Sequence, residues 1–137
     1  MTFAWVLNAL ASAFGASLGM RALIDPQWAA RLVRLRPDEG TGGFAEFRAT
    51  YGGLIAFAHG VSLALTLMYL DDGDYAVGVA ATGAAAVLGA GWGGAWLGRV
   101  LAMWRDKADT AFNRLAAGVE AIVALAIAAP WVVWVLT

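Results

Sequence analysis

The chain has 137 residues, 61% of them hydrophobic and only 14% charged, and its formal net charge is −1. Soluble domains carry about a quarter charged residues, so this composition leaves too little polar surface for a water-soluble globule and favours a membrane protein. The net charge of −1 argues against nucleic-acid binding, which requires a strongly basic surface, so we expect no nucleic-acid partner. The sequence has no cysteine, which excludes disulfides, thiolate metal sites and cysteine nucleophiles.

Four apolar stretches are each long enough to cross a bilayer, which takes about 20 residues of helix. The predicted spans are residues 3–24, 49–70, 75–104 and 112–136. The first basic residue, Arg21, comes near the end of the first stretch and not before it, so we expect a retained membrane helix in place of a cleaved signal peptide. The sequence therefore predicts an all-α membrane protein with a single transmembrane domain over residues 1–137, built as an antiparallel four-helix bundle.

The first connector contains a predicted amphipathic helix over residues 27–36. Asp25 is a good N-cap and Pro26 suits the first helical turn. The polar face would carry Gln27, Arg31 and Arg34, and the apolar face would carry Trp28, Leu32 and Leu35. We expect this short helix to lie in the membrane interface. Pro37 and the run Gly40-Thr41-Gly42-Gly43 should end it in a flexible turn.

The basic residues are confined to one side of the predicted membrane. All nine flank the first or the third connector: Arg21, Arg31, Arg34, Arg36, Arg48, Arg99, Arg105, Lys107 and Arg114. The second connector is the acidic turn Asp71–Asp74, and neither terminus carries a basic side chain. The positive-inside rule then predicts a multi-pass protein of the bacterial inner membrane with both termini outside the cytoplasm. A belt of aromatic residues should mark the outer interface: Trp5, Tyr69, Tyr75, Trp131 and Trp134.

Glu120, Arg99 and Arg48 are the candidate buried charges of the predicted spans. Glu120 lies roughly 12 Å into the fourth span, where no surface loop can solvate it. Arg99 lies inside the third span from the same side, and Arg48 lies at the cytoplasmic end of the second. Because isolated charges are costly in a bilayer, we expect an Arg–Glu–Arg cluster. Its role is either a structural clasp that sets helix register or a site for anion binding or proton handling.

Two further features carry hypotheses. The third span contains two small-residue spacings that let helices approach closely: Gly89-x-x-x-Gly93 and Gly94-x-x-x-Gly98. They indicate either a homodimer seam or a tight contact within the chain's own bundle. His59, the single histidine, is interpreted as a hydrogen-bonded core residue, with a proton relay to Glu120 as the alternative. One histidine cannot hold a haem at both axial positions or complete a zinc site, so we predict neither cofactor nor metal.

One stretch is distinctive: the run Glu46-Phe47-Arg48-Ala49-Thr50-Tyr51-Gly52-Gly53, which Gly60 follows. It resembles a family of small bacterial four-helix membrane proteins catalogued as domain of unknown function 4345. Pro26, Gly98-Arg99 and Glu120 are similar to that family's other landmarks, so the likeness covers nearly the whole chain. The resemblance implies that Arg48, Tyr51, Arg99 and Glu120 belong to one family site. It implies no activity.

Two classes of function follow from these observations. The first is a non-enzymatic structural or accessory membrane protein, in contact with lipid and either homo-oligomeric or part of a larger membrane complex. The second is a small carrier or binder of a lipid, an amphiphile or an anion that uses the Arg/Glu cluster. An enzyme is disfavoured, because the sequence shows no recognisable catalytic constellation. A cavity beside Glu120 would favour the second class, and a closely packed cluster would favour the first.

Overall fold

The computed structural model describes residues 2–37, 40 and 42–137, and these residues form helices and no strand. In chain order the five helices are α1 (Thr2–Ile24), α2 (Pro26–Val33), α3 (Phe47–Asp72), α4 (Tyr75–Arg105) and α5 (Ala111–Leu136). The first eight residues of α3, Phe47–Leu54, are wound as a wider π-helix. The predicted all-α class is confirmed.

Four of these helices are long and apolar enough to cross a membrane, namely α1, α3, α4 and α5. Their ends lie within two residues of the predicted spans, so the chain is a multi-pass membrane protein. Helix α4 has 31 residues and is therefore about 46 Å long, against a hydrocarbon core of about 30 Å. It must tilt in the bilayer or project into the headgroups.

The chain divides into two compact units. One comprises Met1–Ala11 with Leu65–Thr137, and the other comprises Ser12–Ala64. The prediction of one transmembrane domain over residues 1–137 stays a prediction.

In the unit Ser12–Ala64, the second half of α1 crosses the first half of α3 very closely. A Cβ atom added to Gly19 would lie 2.3 Å from the backbone nitrogen of Ala56, and one added to Gly52 would lie 2.8 Å from the Cα of Leu23. One added to Gly15 would overlap the ring of His59. The partners on α3 descend as the positions on α1 ascend, so the two segments are antiparallel. Only glycine allows this approach, which is the usual device of close helix contacts in membranes.

Helix α2 begins as predicted but is shorter than predicted. The Asp25 carboxylate accepts a hydrogen bond from the backbone nitrogen of Trp28 at 3.0 Å, and Pro26 opens the helix. The helix ends at Val33 because Arg34 adopts a left-handed conformation with φ of 59°. The predicted extent to residue 36 is therefore wrong by three residues, and Leu35 lies beyond the helix. Thr41, in the predicted turn, lies outside the described residues.

The other unit contains two tight helical hairpins. Gly73 adopts φ of 67°, a left-handed value that glycine tolerates best, and its nitrogen donates to the carbonyl of Tyr69 at 3.0 Å. The Asp74 carboxylate then caps α4 by accepting from Val77. Helices α4 and α5 form the second hairpin and pack closely where Gly89 meets Ala128. The hairpin brings Arg99 and Glu120 to the same level.

Candidate functional site

The Arg99 guanidinium and the Glu120 carboxylate form a two-pronged ion pair between α4 and α5. Nε of Arg99 donates to Oε2 of Glu120 at 2.8 Å, and Nη2 donates to Oε1 at 2.6 Å. The Glu120 side chain is 10% exposed and that of Arg99 is 30% exposed. Two parallel charge-assisted hydrogen bonds are the strongest geometry for this pair of groups. Both carboxylate oxygens of Glu120 are therefore occupied by one partner.

Asn113 extends this pair to the start of α5. Its side-chain oxygen accepts from Nη1 of Arg99 at 3.2 Å, while its side-chain nitrogen donates to the carbonyl of Ala108 at 2.7 Å. Its backbone nitrogen donates to the hydroxyl of Thr110, the N-cap of α5. Sequence reasoning did not find Asn113. The available signal was its spacing of seven residues before Glu120, which places both side chains on one face of a helix.

A second polar network lies in the same unit and also escaped sequence reasoning. The side-chain nitrogen of Asn8 donates to the carbonyl of Ile127 at 2.6 Å, and its oxygen accepts from the hydroxyl of Thr66 at 2.7 Å. Asn8 and Thr66 are fully buried. The accepting carbonyl lies three residues before Pro130, which has no N–H to donate to the neighbouring carbonyl of Ala126. Asn8 thereby joins α1, α3 and α5.

Arg48 and Tyr51, the other two members of the predicted cluster, lie in the unit Ser12–Ala64 with partners of their own. Nη1 of Arg48 donates to the carbonyl of Leu23, one of the last-turn carbonyls of α1 that have no helical partner. Tyr51 stacks on Phe47 with ring centroids 5.6 Å apart, beside a small apolar core of Ala22, Ala29, Ala30 and Phe47. The four-residue cluster stays a prediction.

His59 is buried in the same unit. Its Nδ1–H donates to the carbonyl of Ile55 at 2.8 Å, one turn earlier in α3. Its ring occupies the space that the missing side chain of Gly15 leaves on α1. These contacts are those of a packed core residue. The proton relay to Glu120 stays a prediction.

The four glycines of the predicted α4 seam differ in their surroundings. Gly89 is buried, and a Cβ there would lie 2.7 Å from the Cβ of Ala128. A Cβ added at Gly93, Gly94 or Gly98 would meet no described atom within 4 Å apart from its own stretch of helix. The contact within the chain therefore accounts for Gly89 and not for the other three.

The polar groups in the described part of the chain are satisfied internally. Every fully buried side-chain nitrogen or oxygen there has a hydrogen-bond partner. Within residues 2–37, 40 and 42–137, no group of three or more His, Asp or Glu side chains is placed so that it could hold a metal ion.

Comparisons of the chain with protein-family models, with curated proteins and with solved structures find no match.

Proposed function

We propose that this chain is a non-enzymatic structural or accessory protein of the bacterial inner membrane, in which Arg99 and Glu120 act as a clasp between α4 and α5. The observation that carries the proposal is the closed geometry of the pair. Arg99 uses two donors on Glu120 and a third on Asn113. A charge that is fully paired within the chain is suited to fixing helix register, which is the best-attested role of buried polar groups.

The alternative, a carrier or binder of anions at the same residues, has weaker support. An incoming anion would compete with the Glu120 carboxylate for Nε and Nη2 of Arg99, and displacement would leave a buried carboxylate without its partner. Such an uncompensated charge is costly in a medium of low dielectric constant. A proton acceptor at Glu120 would likewise have to lose its two charge-assisted hydrogen bonds first.

The proposed orientation places both termini outside the cytoplasm. It is supported by the confinement of all nine basic residues to the first and third connectors and their flanks. We also propose that the chain contacts lipid and works either as a homo-oligomer or within a larger membrane complex. The family resemblance carried by Arg48, Tyr51 and Gly52-Gly53 fits a small bacterial membrane protein.

Native mass spectrometry of the purified protein tests the clasp against the anion site. The clasp predicts that no anion or anionic lipid depends on the pair for its retention. The test compares the natural chain with the double variant Arg99→Met/Glu120→Leu. The matched control neutralises the exposed pair of Arg114 and Asp109, whose atoms lie 2.7 Å apart near the same end of α5. An anion retained by the natural chain and by the control but lost from the double variant would favour the alternative.

A further inference from the structure

An aromatic cavity lies at the end of the α4–α5 hairpin opposite to the clasp. Its volume is about 390 Å³, within the range of pockets that hold small molecules. Five aromatic side chains contribute to its lining: Trp5, Tyr69, Tyr75, Trp131 and Trp134. Trp5 is buried and its ring lies 4.8 Å from that of Tyr69, whereas Tyr75 and Trp134 are 84% and 63% exposed. The cavity is therefore closed by aromatic rings at one side and open at another.

Small residues on α4 create the space between these rings. Gly83 and Ala86 line the cavity together with Gly78 and Thr82. Apart from its own stretch of helix, a Cβ added at Gly83 would meet no described atom within 4 Å, whereas one added at Gly78 would meet the ring of Tyr69 at 2.7 Å. From Tyr75 to Ala86 the cavity follows α4 over about 16 Å. That length suits an extended alkyl chain and is greater than the size of a small polar headgroup.

The charges near the mouth are negative. Gly73 lines the cavity, and it lies between Asp72 and Asp74 in the connector from α3 to α4. Both aspartates and the neighbouring Asp71 are exposed. The basic residues of this unit are Arg99, Arg105, Lys107 and Arg114. The first of them lies about 20 Å beyond Ala86 along α4, whereas Asp72 and Asp74 flank a residue that lines the cavity.

The geometry points to a binding site for an alkylammonium group carried on an apolar chain. Faces of tryptophan and tyrosine attract organic cations, and this is how proteins recognise quaternary ammonium groups. The aspartates would draw the cation to the mouth, and the groove along α4 would hold the apolar chain. Anionic amphiphiles would be repelled by the same carboxylates. The ammonium group has two sources, a free cationic amphiphile or the headgroup of a zwitterionic lipid.

Equilibrium binding of radiolabelled dodecyltrimethylammonium to the purified chain in maltoside detergent tests this site. We expect saturable binding of one molecule per chain. Gly83→Leu fills the cavity and should raise the dissociation constant by about tenfold or more. The matched control is Gly94→Leu on the same helix, which also enters open space but lies outside the cavity and should leave binding unchanged. Equal thermal stability of both variants shows that each is folded.

A second variant tests the electrostatic part without altering the cavity. Asp72→Asn/Asp74→Asn keeps a side chain that can cap α4 and should weaken binding of the cation, with a difference that shrinks at high salt. Competition by phosphatidylethanolamine assigns the ammonium group to a lipid, and failure to compete assigns it to a free amphiphile. Either result supports the ammonium site. Binding that is unaffected by Gly83→Leu, or equal competition by neutral dodecanol, would overturn it.

Discussion

Replacing Glu120 by Leu is expected to destabilise the folded protein by about 3 kcal/mol, because it leaves the Arg99 guanidinium in low dielectric without its carboxylate partner. Glu120→Gln should cost less, since the amide oxygen still accepts one of the two N–H groups. The partial exposure of Arg99, 30% of its side chain, keeps the expected loss at the lower end for a buried pair. Unfolding of the variants in detergent, followed by circular dichroism, measures the order of stability.

Two controls separate a clasp from a general effect of charge. The double variant Arg99→Met/Glu120→Leu should recover most of the lost stability, because no unpaired charge remains and both new side chains are apolar. Asp109→Asn breaks the exposed pair with Arg114 and should change stability by less than about 0.5 kcal/mol. Equal stability of the natural chain, Glu120→Gln and Glu120→Leu would contradict a stabilising role for the Arg99–Glu120 pair.

Gly19→Ala is expected to destabilise the crossing of α1 and α3 by about 2 kcal/mol or more, the usual cost of overpacking. The new methyl group would meet the backbone of Ala56, which cannot rotate away as a side chain can. The methyl group of Gly60→Ala, on α3 of the same unit, would meet no described atom within 4 Å outside its own stretch of helix. This variant should be neutral or stabilising, because alanine favours the helix. The same unfolding assay should therefore show a loss of stability for Gly19→Ala and no loss for Gly60→Ala, although both variants add one methyl group.

The comparison of these two variants can contradict the close crossing of α1 and α3. If Gly19→Ala and Gly60→Ala have the same stability, the close approach of the two helix backbones is incorrect. A conservative check is Gly15→Ala, whose added methyl group meets the ring of His59 and not a backbone. Because a side chain can shift, its loss of stability should lie between those of the other two variants.

The membrane-length helices could be predicted from the sequence because the length of an apolar stretch follows directly from the thickness of the bilayer. Asp25-Pro26 likewise predicted the start of α2, since a cap acts through residues three positions away. The end of α2 could not be predicted. It depends on the left-handed backbone conformation of Arg34, which is uncommon for residues other than glycine.

The sequence alone could not predict which polar and small residues contact each other, because these contacts depend on tertiary packing. The depth of Arg99 and Glu120 made their pairing an expectation, but Asn113 and Asn8 find their partners only once the helices are placed. The spacing Gly15-x-x-x-Gly19 is the same as that of Gly94-x-x-x-Gly98. Only the former lies against another helix in the described structure. The outer aromatic belt was expected, but its enclosure of a cavity was not.

Labelling of single cysteines in intact bacterial cells tests the four-span arrangement and its orientation most directly. The chain has no natural cysteine, so Asp72→Cys and Asp106→Cys each introduce a single thiol, one in the acidic connector and one in the third connector. A membrane-impermeant maleimide should label the first in intact cells and the second only after the cells are permeabilised. Labelling of Asp106→Cys in intact cells with protection of Asp72→Cys would contradict the orientation, and immediate labelling of both would contradict the membrane crossing between them.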